Sequence, residues 1–84
     1  MIKIYTIPEC PYCSELKEYL KVENIKFTEI NVLLDENQDE YKKIFEKTQS
    51  DEVPIIKVGK QILVPNVSFH TIRESVELTK QFLV

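Results

Sequence analysis

The chain's only two thiols, Cys10 and Cys13, are separated by Pro11 and Tyr12 alone. They stand in "IYTIPECPYCSELKEYL", residues 4–20, where a strand-like run gives way to a helix-like run. A cysteine at the start of a helix faces unpaired backbone N–H groups and the positive end of the helix dipole. Both favour thiolate over thiol, and such cysteines have pKa values lowered from about 8.5 to roughly 3.5–7.5. Cys10 takes that place if the helix begins near Pro11. Cys13 follows one turn later on the same face and, being more enclosed, is expected to keep its proton at rest. The spacing predicts a division of labour: Cys10 attacks a disulfide, and Cys13 then attacks the mixed disulfide and releases the reduced product. Zinc binding would require two further Cys or His ligands, and only His70 remains. A purely structural disulfide across so short a loop would restrain the unfolded chain weakly.

The surrounding pattern supplies the elements that must hold these thiols. Residues 2–7, "IKIYTI", alternate as a strand, with Ile2 and Ile4 on an apolar face and Lys3, Tyr5 and Ile7 on a mixed one. Pro8 and Pro11 bracket the junction and prevent the ladder from continuing. Tyr12, Leu16, Tyr19 and Leu20 then recur at helical spacing, with Pro11 suited to the first turn and Asn24 to the stop. "IKFTEINV", residues 25–32, predicts a second strand, parallel to the first in a right-handed βαβ unit. After the polar segment "LDENQDE" comes a second helix, with Tyr41, Ile44, Phe45 and Thr48 facing inward. Residues 55–58 and 61–64 form a hairpin about Gly59-Lys60. Ser68 is expected to cap a last helix carrying Phe69, Ile72, Val76 and Leu83 inward and Phe82 on its flank. His70 is expected at the surface.

Composition narrows the function classes. Eighty-four residues suit one domain, residues 1–84, with a thin core. A net charge of −3 without a basic stripe excludes nucleic-acid binding, and no apolar run reaches the roughly 18–20 residues of a membrane span. A single glycine argues against phosphate-cradling loops. No basic-then-apolar leader opens the sequence, so a cytoplasmic protein is expected, and a monomer.

Together these features resemble the glutaredoxin family. "IYT" (4–6) leads into "CPYC" (10–13), which matches the dithiol glutaredoxin motif letter for letter; "VP" (Val53-Pro54) falls just before the hairpin. The resemblance covers residues 2–62. It implies an α/β, thioredoxin-like fold of order β-α-β-α-β-β-α, with a four-stranded mixed sheet flanked by helices. It also implies that Cys10 is the nucleophile and Cys13 the resolving thiol. Pro11 and Tyr12 would flank the bound substrate, and Pro54 would be a cis-proline facing the thiols. The backbone of Val53 would pair with an extended peptide or with the glutathione cysteine.

This sequence departs from the family pattern at several of the glutathione positions. Ile7 stands where many members have a lysine for a glutathione carboxylate, and Glu52 where many have threonine. Leu63 and Val64 replace a Gly-Gly pair that lets glutathione approach, so their bulk is expected to obstruct it. Asn66 stands at or near an aspartate that binds the glutathione amine. Glu9, next to Cys10, and Glu52, expected across the groove, would raise the thiolate pKa and oppose an anionic tripeptide.

The leading expectation is a thiol–disulfide oxidoreductase acting on protein or glutathione mixed disulfides, with no bound cofactor and with glutathione as reducing co-substrate. The substrate-binding candidates are Pro11, Tyr12, Glu52, Val53, Pro54 and Asn66. The alternative is a thioredoxin-like electron donor, for example to ribonucleotide reductase, reduced by a flavin-dependent reductase. A third class, cluster binding between two chains with Cys10 as a ligand, is also compatible with the motif.

Overall fold

The computed structural model describes residues 2–83, and its elements follow the expected order, β-α-β-α-β-β-α. β1 (Ile2–Thr6) runs parallel to β2 (Thr28–Asn31) and antiparallel to β3 (Ile55–Val58), and β4 (Gln61–Leu63) returns antiparallel along β3. The sheet order is β2-β1-β3-β4, which makes β1 an inner strand. α1 (Pro11–Val22) joins the parallel pair β1 and β2. α2 (Gln38–Thr48), after a short 3-10 turn at Asp35–Asn37, leads to β3, and α3 (Ile72–Leu83) follows β4. Asn24 ends α1 in a left-handed conformation (φ 58°), with its N–H donating to the Lys21 carbonyl at 3.0 Å.

Alternation along the strands divides the interior in two. Ile2, Ile4, Ile56 and Val58 pack with Leu16 and Leu20 of α1 and with Phe69, Ile72 and Val76. Tyr5, Ile55, Ile30, Val32 and Val64 pack with Ile44 of α2 on the opposite face. The β1 face expected to be mixed is thus a second core, because α2 covers it. Burying each such Ile or Leu contributes about 1.5–3 kcal/mol. Tyr5 is fully buried, and its hydroxyl donates at 2.6 Å to Glu40, whose carboxylate also meets Lys3 Nζ at 3.2 Å. These contacts tie β1 to the start of α2.

Several expected boundaries and faces are corrected. β1 ends at Thr6 rather than Ile7, since the turn toward Pro8 begins there. β2 starts at Thr28, because residues 25–27 form an entry loop whose Ile25 and Phe27 still pack on the first core. β4 ends at Leu63, one residue early. Phe45 is 39% exposed and Leu83 47%, although both were expected inside. In α3, Ser75 and Thr79 are fully buried, with hydroxyls donating to the carbonyls of Ile72 (2.6 Å) and Ser75 (2.8 Å). A hydroxyl satisfied by its own helix can sit in an apolar interface. Nor does Ser68 cap α3: its Oγ accepts from the Val64 N–H at 3.2 Å, and Thr71 Oγ1 accepts from the Glu74 N–H at 3.1 Å instead.

Candidate active site

The turn at residues 8–9, with Glu9 in the left-handed region (φ 58°), carries the chain from β1 into α1. Pro11 occupies the first helical turn, and Cys10 is the N-cap in an extended conformation (φ −104°, ψ 110°). Its carbonyl accepts from the Ser14 N–H at 3.0 Å, and its Sγ accepts from the Cys13 N–H at 3.1 Å. Sulfur here takes the part that a serine or threonine oxygen plays at other helix starts. Cys10 is half-exposed, whereas Cys13 is only 2% exposed. Burial pushes the Cys13 thiol up to about 12, and the contact with Cys10 adds to the rise; the Ile7 N–H and the Lys17 ammonium pull the other way. The two thiols therefore differ as the spacing predicts, one presented and one enclosed.

Two hollows flank the helix start. A groove of about 620 Å³ runs along Tyr12, Glu15, the 51–54 loop, Pro65, Asn66 and the entry to α3. A second cavity, of about 510 Å³, opens toward β2 and is lined by both thiols, Ile7, Glu9, Lys17, Glu29, Glu36 and their neighbours. Tyr12, 64% exposed, forms a lip of the groove rather than part of the apolar stripe of α1. Pro11 is exposed at the helix start. The Val53–Pro54 peptide bond is cis, and both residues line the groove just before β3.

Glu52 and Asn66, two of the substrate-binding candidates, meet across this groove: Asn66 Nδ2 donates to Glu52 Oε2 at 2.8 Å. Asn66 is held there by a left-handed turn (φ 63°) and by its N–H, which donates to the Phe69 carbonyl at 2.8 Å. A ligand drawing on either side chain must compete with this bond. One expectation about the neighbouring positions is corrected, and two other positions are placed. Leu63 and Val64 do not obstruct the groove, since Leu63 is buried in the first core and Val64 in the second. Ile7 packs against the second core and lines the β2-side cavity instead of the groove. Glu9 lines that same cavity, next to Cys10, and Glu52 lines the groove on the other side of the helix start.

Sequence reasoning missed a cluster beside Cys13. Thr6 Oγ1, almost wholly buried, donates to Glu29 Oε2 at 2.8 Å, and Lys17 Nζ pairs with the same oxygen at 3.1 Å. Partial burial alone would raise the Glu29 carboxyl, but the Thr6 and Lys17 hydrogen bonds outweigh it and hold the group below its ordinary range. The register Lys3↔Thr28 to Thr6↔Asn31 that brings Glu29 beside Thr6 is not legible before the strands are paired. Phe69, expected inside on the last helix, is buried (2% exposed) but precedes α3, and it lines the groove as part of the first core. Among the described residues, no group of three or more His, Cys, Asp or Glu is gathered as a metal site.

A dithiol at a helix N-cap, beside a cis-proline loop on a four-stranded mixed sheet, defines a thioredoxin-fold redox protein. The glutaredoxin family model matches residues 2–63, and the chain belongs to that family. It is 42% identical over 64 residues to a glutaredoxin-like 8.6 kDa protein of the rubredoxin operon of Clostridium pasteurianum, covering 76% of this chain and 83% of that one. Its fold is similar to that of a crystallised thioredoxin-like protein (TM-score 0.71, 22% identity, 98% and 99% of the two chains). It is also similar to the glutaredoxin-like NrdH-redoxin of Escherichia coli (TM-score 0.66, 19% identity, 95% and 91%). No helix among the described residues is long and apolar enough to cross a membrane.

Proposed function

We propose that this protein reduces disulfides of other proteins through Cys10 and Cys13, in the cytoplasm and as a monomer. The observation that carries the reading is the asymmetry of the pair: a half-exposed N-cap sulfur accepting a backbone N–H, over an enclosed thiol. The Cys10 thiolate attacks one sulfur of the substrate disulfide. The Cys10–substrate S–S bond forms as the substrate's own breaks, and the departing thiolate takes a proton. Cys13 then gives up its proton and attacks Cys10 Sγ, closing the Cys10–Cys13 disulfide and releasing the second substrate thiol. The substrate gains two electrons and the dithiol loses two.

For the electron donor, the site favours the reductase alternative over glutathione. No lysine or arginine is among the described lining residues of the groove, and Asn66 is engaged by Glu52. The E. coli NrdH-redoxin, described as glutaredoxin-like with a thioredoxin-like activity profile, shows the two properties joined in a related fold. The test is reduction of the oxidised protein by physiological glutathione against thioredoxin reductase with NADPH, followed as loss of the Cys10–Cys13 disulfide. Reduction by the flavoenzyme alone supports this reading; rapid reduction by glutathione restores the glutathione-dependent one. In either case Cys10→Ser should abolish turnover, and Cys13→Ser should accumulate the mixed disulfide, visible by mass spectrometry.

A further inference from the structure

Charge is distributed very unevenly about the dithiol. Among the described residues, the side chains lining the two hollows include six carboxylates, Glu9, Glu15, Glu29, Glu36, Asp51 and Glu52, and one ammonium, Lys17. That is a net −5 within a chain whose total is −3, so everything outside the hollows is net +2. The one ammonium is already paired with Glu29. The other five carboxylates have no ion-pair partner among the described residues. The start of α3, which opens on the groove and would attract an anion, is taken by the chain's own Glu74, whose Oε1 accepts from the His70 N–H at 2.6 Å. Both features disfavour an anionic ligand and favour a cationic one, and the field of a concave, one-signed surface raises the encounter rate with opposite charge.

Resting on the protein-disulfide reading above, we infer that the dithiol face is a docking surface for disulfides flanked by lysine or arginine. The occupant is an extended, basic segment of a partner protein lying along Tyr12, Val53 and Pro54. Its cations would face Glu15, Asp51 and Glu52 in the groove, and Glu9 and Glu36 beyond Cys10. Each exposed pair is weak by itself and screened by salt. The selectivity therefore comes from the number of carboxylates and is greatest at low ionic strength.

Three disulfide-bridged peptides of one sequence, differing only in Lys, Ser or Glu flanks, test this with the pre-reduced protein in single turnover. Each rate is divided by that of dithiothreitol, a neutral dithiol, to remove differences in intrinsic reactivity. The normalised rates should rank Lys above Ser above Glu, with a Lys-to-Glu ratio of about tenfold at low salt that shrinks severalfold at high salt. In the Asp51→Asn/Glu52→Gln double variant the ratio should fall severalfold. Equal normalised rates, a faster Glu peptide, or a ratio unmoved by salt or by the double variant would overturn the inference. Failure to reduce even the neutral peptide would instead overturn the oxidoreductase reading.

Discussion

The groove along Pro54 and the cavity toward β2 touch the same helix start but use their polar groups in different ways. In the cavity, Thr6, Glu29 and Lys17 satisfy one another within 2.8–3.1 Å and are fixed by strand pairing and by α1. In the groove, Glu15 and Asp51 have no ion-pair partner among the described residues, and Glu52 has only the exposed Asn66 amide. A cluster with internal partners is fixed by the fold, whereas carboxylates without cations are held by solvent and are free to meet a cation from outside. The comparison separates the machinery around Cys13 from the surface that would meet a substrate.

The largest test concerns the floor of the groove. Phe69→Ala removes a ring that is part of the first core, and should lower unfolding free energy by about 3–5 kcal/mol, read by urea denaturation. A loss under about 1 kcal/mol would mean that the groove wall is not continuous with the core.

Next comes alkaline pH. The Cys13 thiol is raised from 9.0 to about 12 in the fold, so its protonated form is the one folding favours. Stability from this source is fully present below about 9 and is lost as pH rises toward 12. The reduced protein should therefore lose stability across that window faster than Cys13→Ser, as thermal melts at stepped pH would show. Parallel profiles would argue that Cys13 is less enclosed than its burial indicates.

The Glu29→Gln change weakens the charge-assisted bonds to Lys17 and Thr6 and should cost about 1 kcal/mol or less, given its exposed edge. The instructive readout is the rate of mixed-disulfide resolution by Cys13 relative to the first attack by Cys10. A change confined to resolution would support a positioning role for the cluster. Smallest of all, Asn66→Gly, which keeps the left-handed backbone (φ 63°) accessible and removes only the exposed bond to Glu52, should alter stability by only a few tenths of a kcal/mol. Its interest lies in whether freeing Glu52 steepens the salt dependence of substrate reduction.

The placement of the dithiol and most of the scaffold were legible in the chain alone. A proline in the first turn after Cys10, a three-residue step to Cys13 and a switch from period two to period 3.6 are local facts. Local backbone preference is enough to produce an N-cap sulfur from them. Alternation likewise located every strand to within a few residues. It could not tell that the mixed face of β1 is buried, because that depends on where α2 docks, nor that Ser75 and Thr79 are interior, because their hydroxyls find partners only once the helix exists. The tertiary structure alone decided which residues share a hollow. Ile7 and Glu9 turn toward β2, Leu63 and Val64 turn into separate cores, and Glu52 meets Asn66 fourteen residues away. Strand register and the exit angles of loops set these neighbours, and both are properties of the assembled sheet rather than of any short stretch of chain.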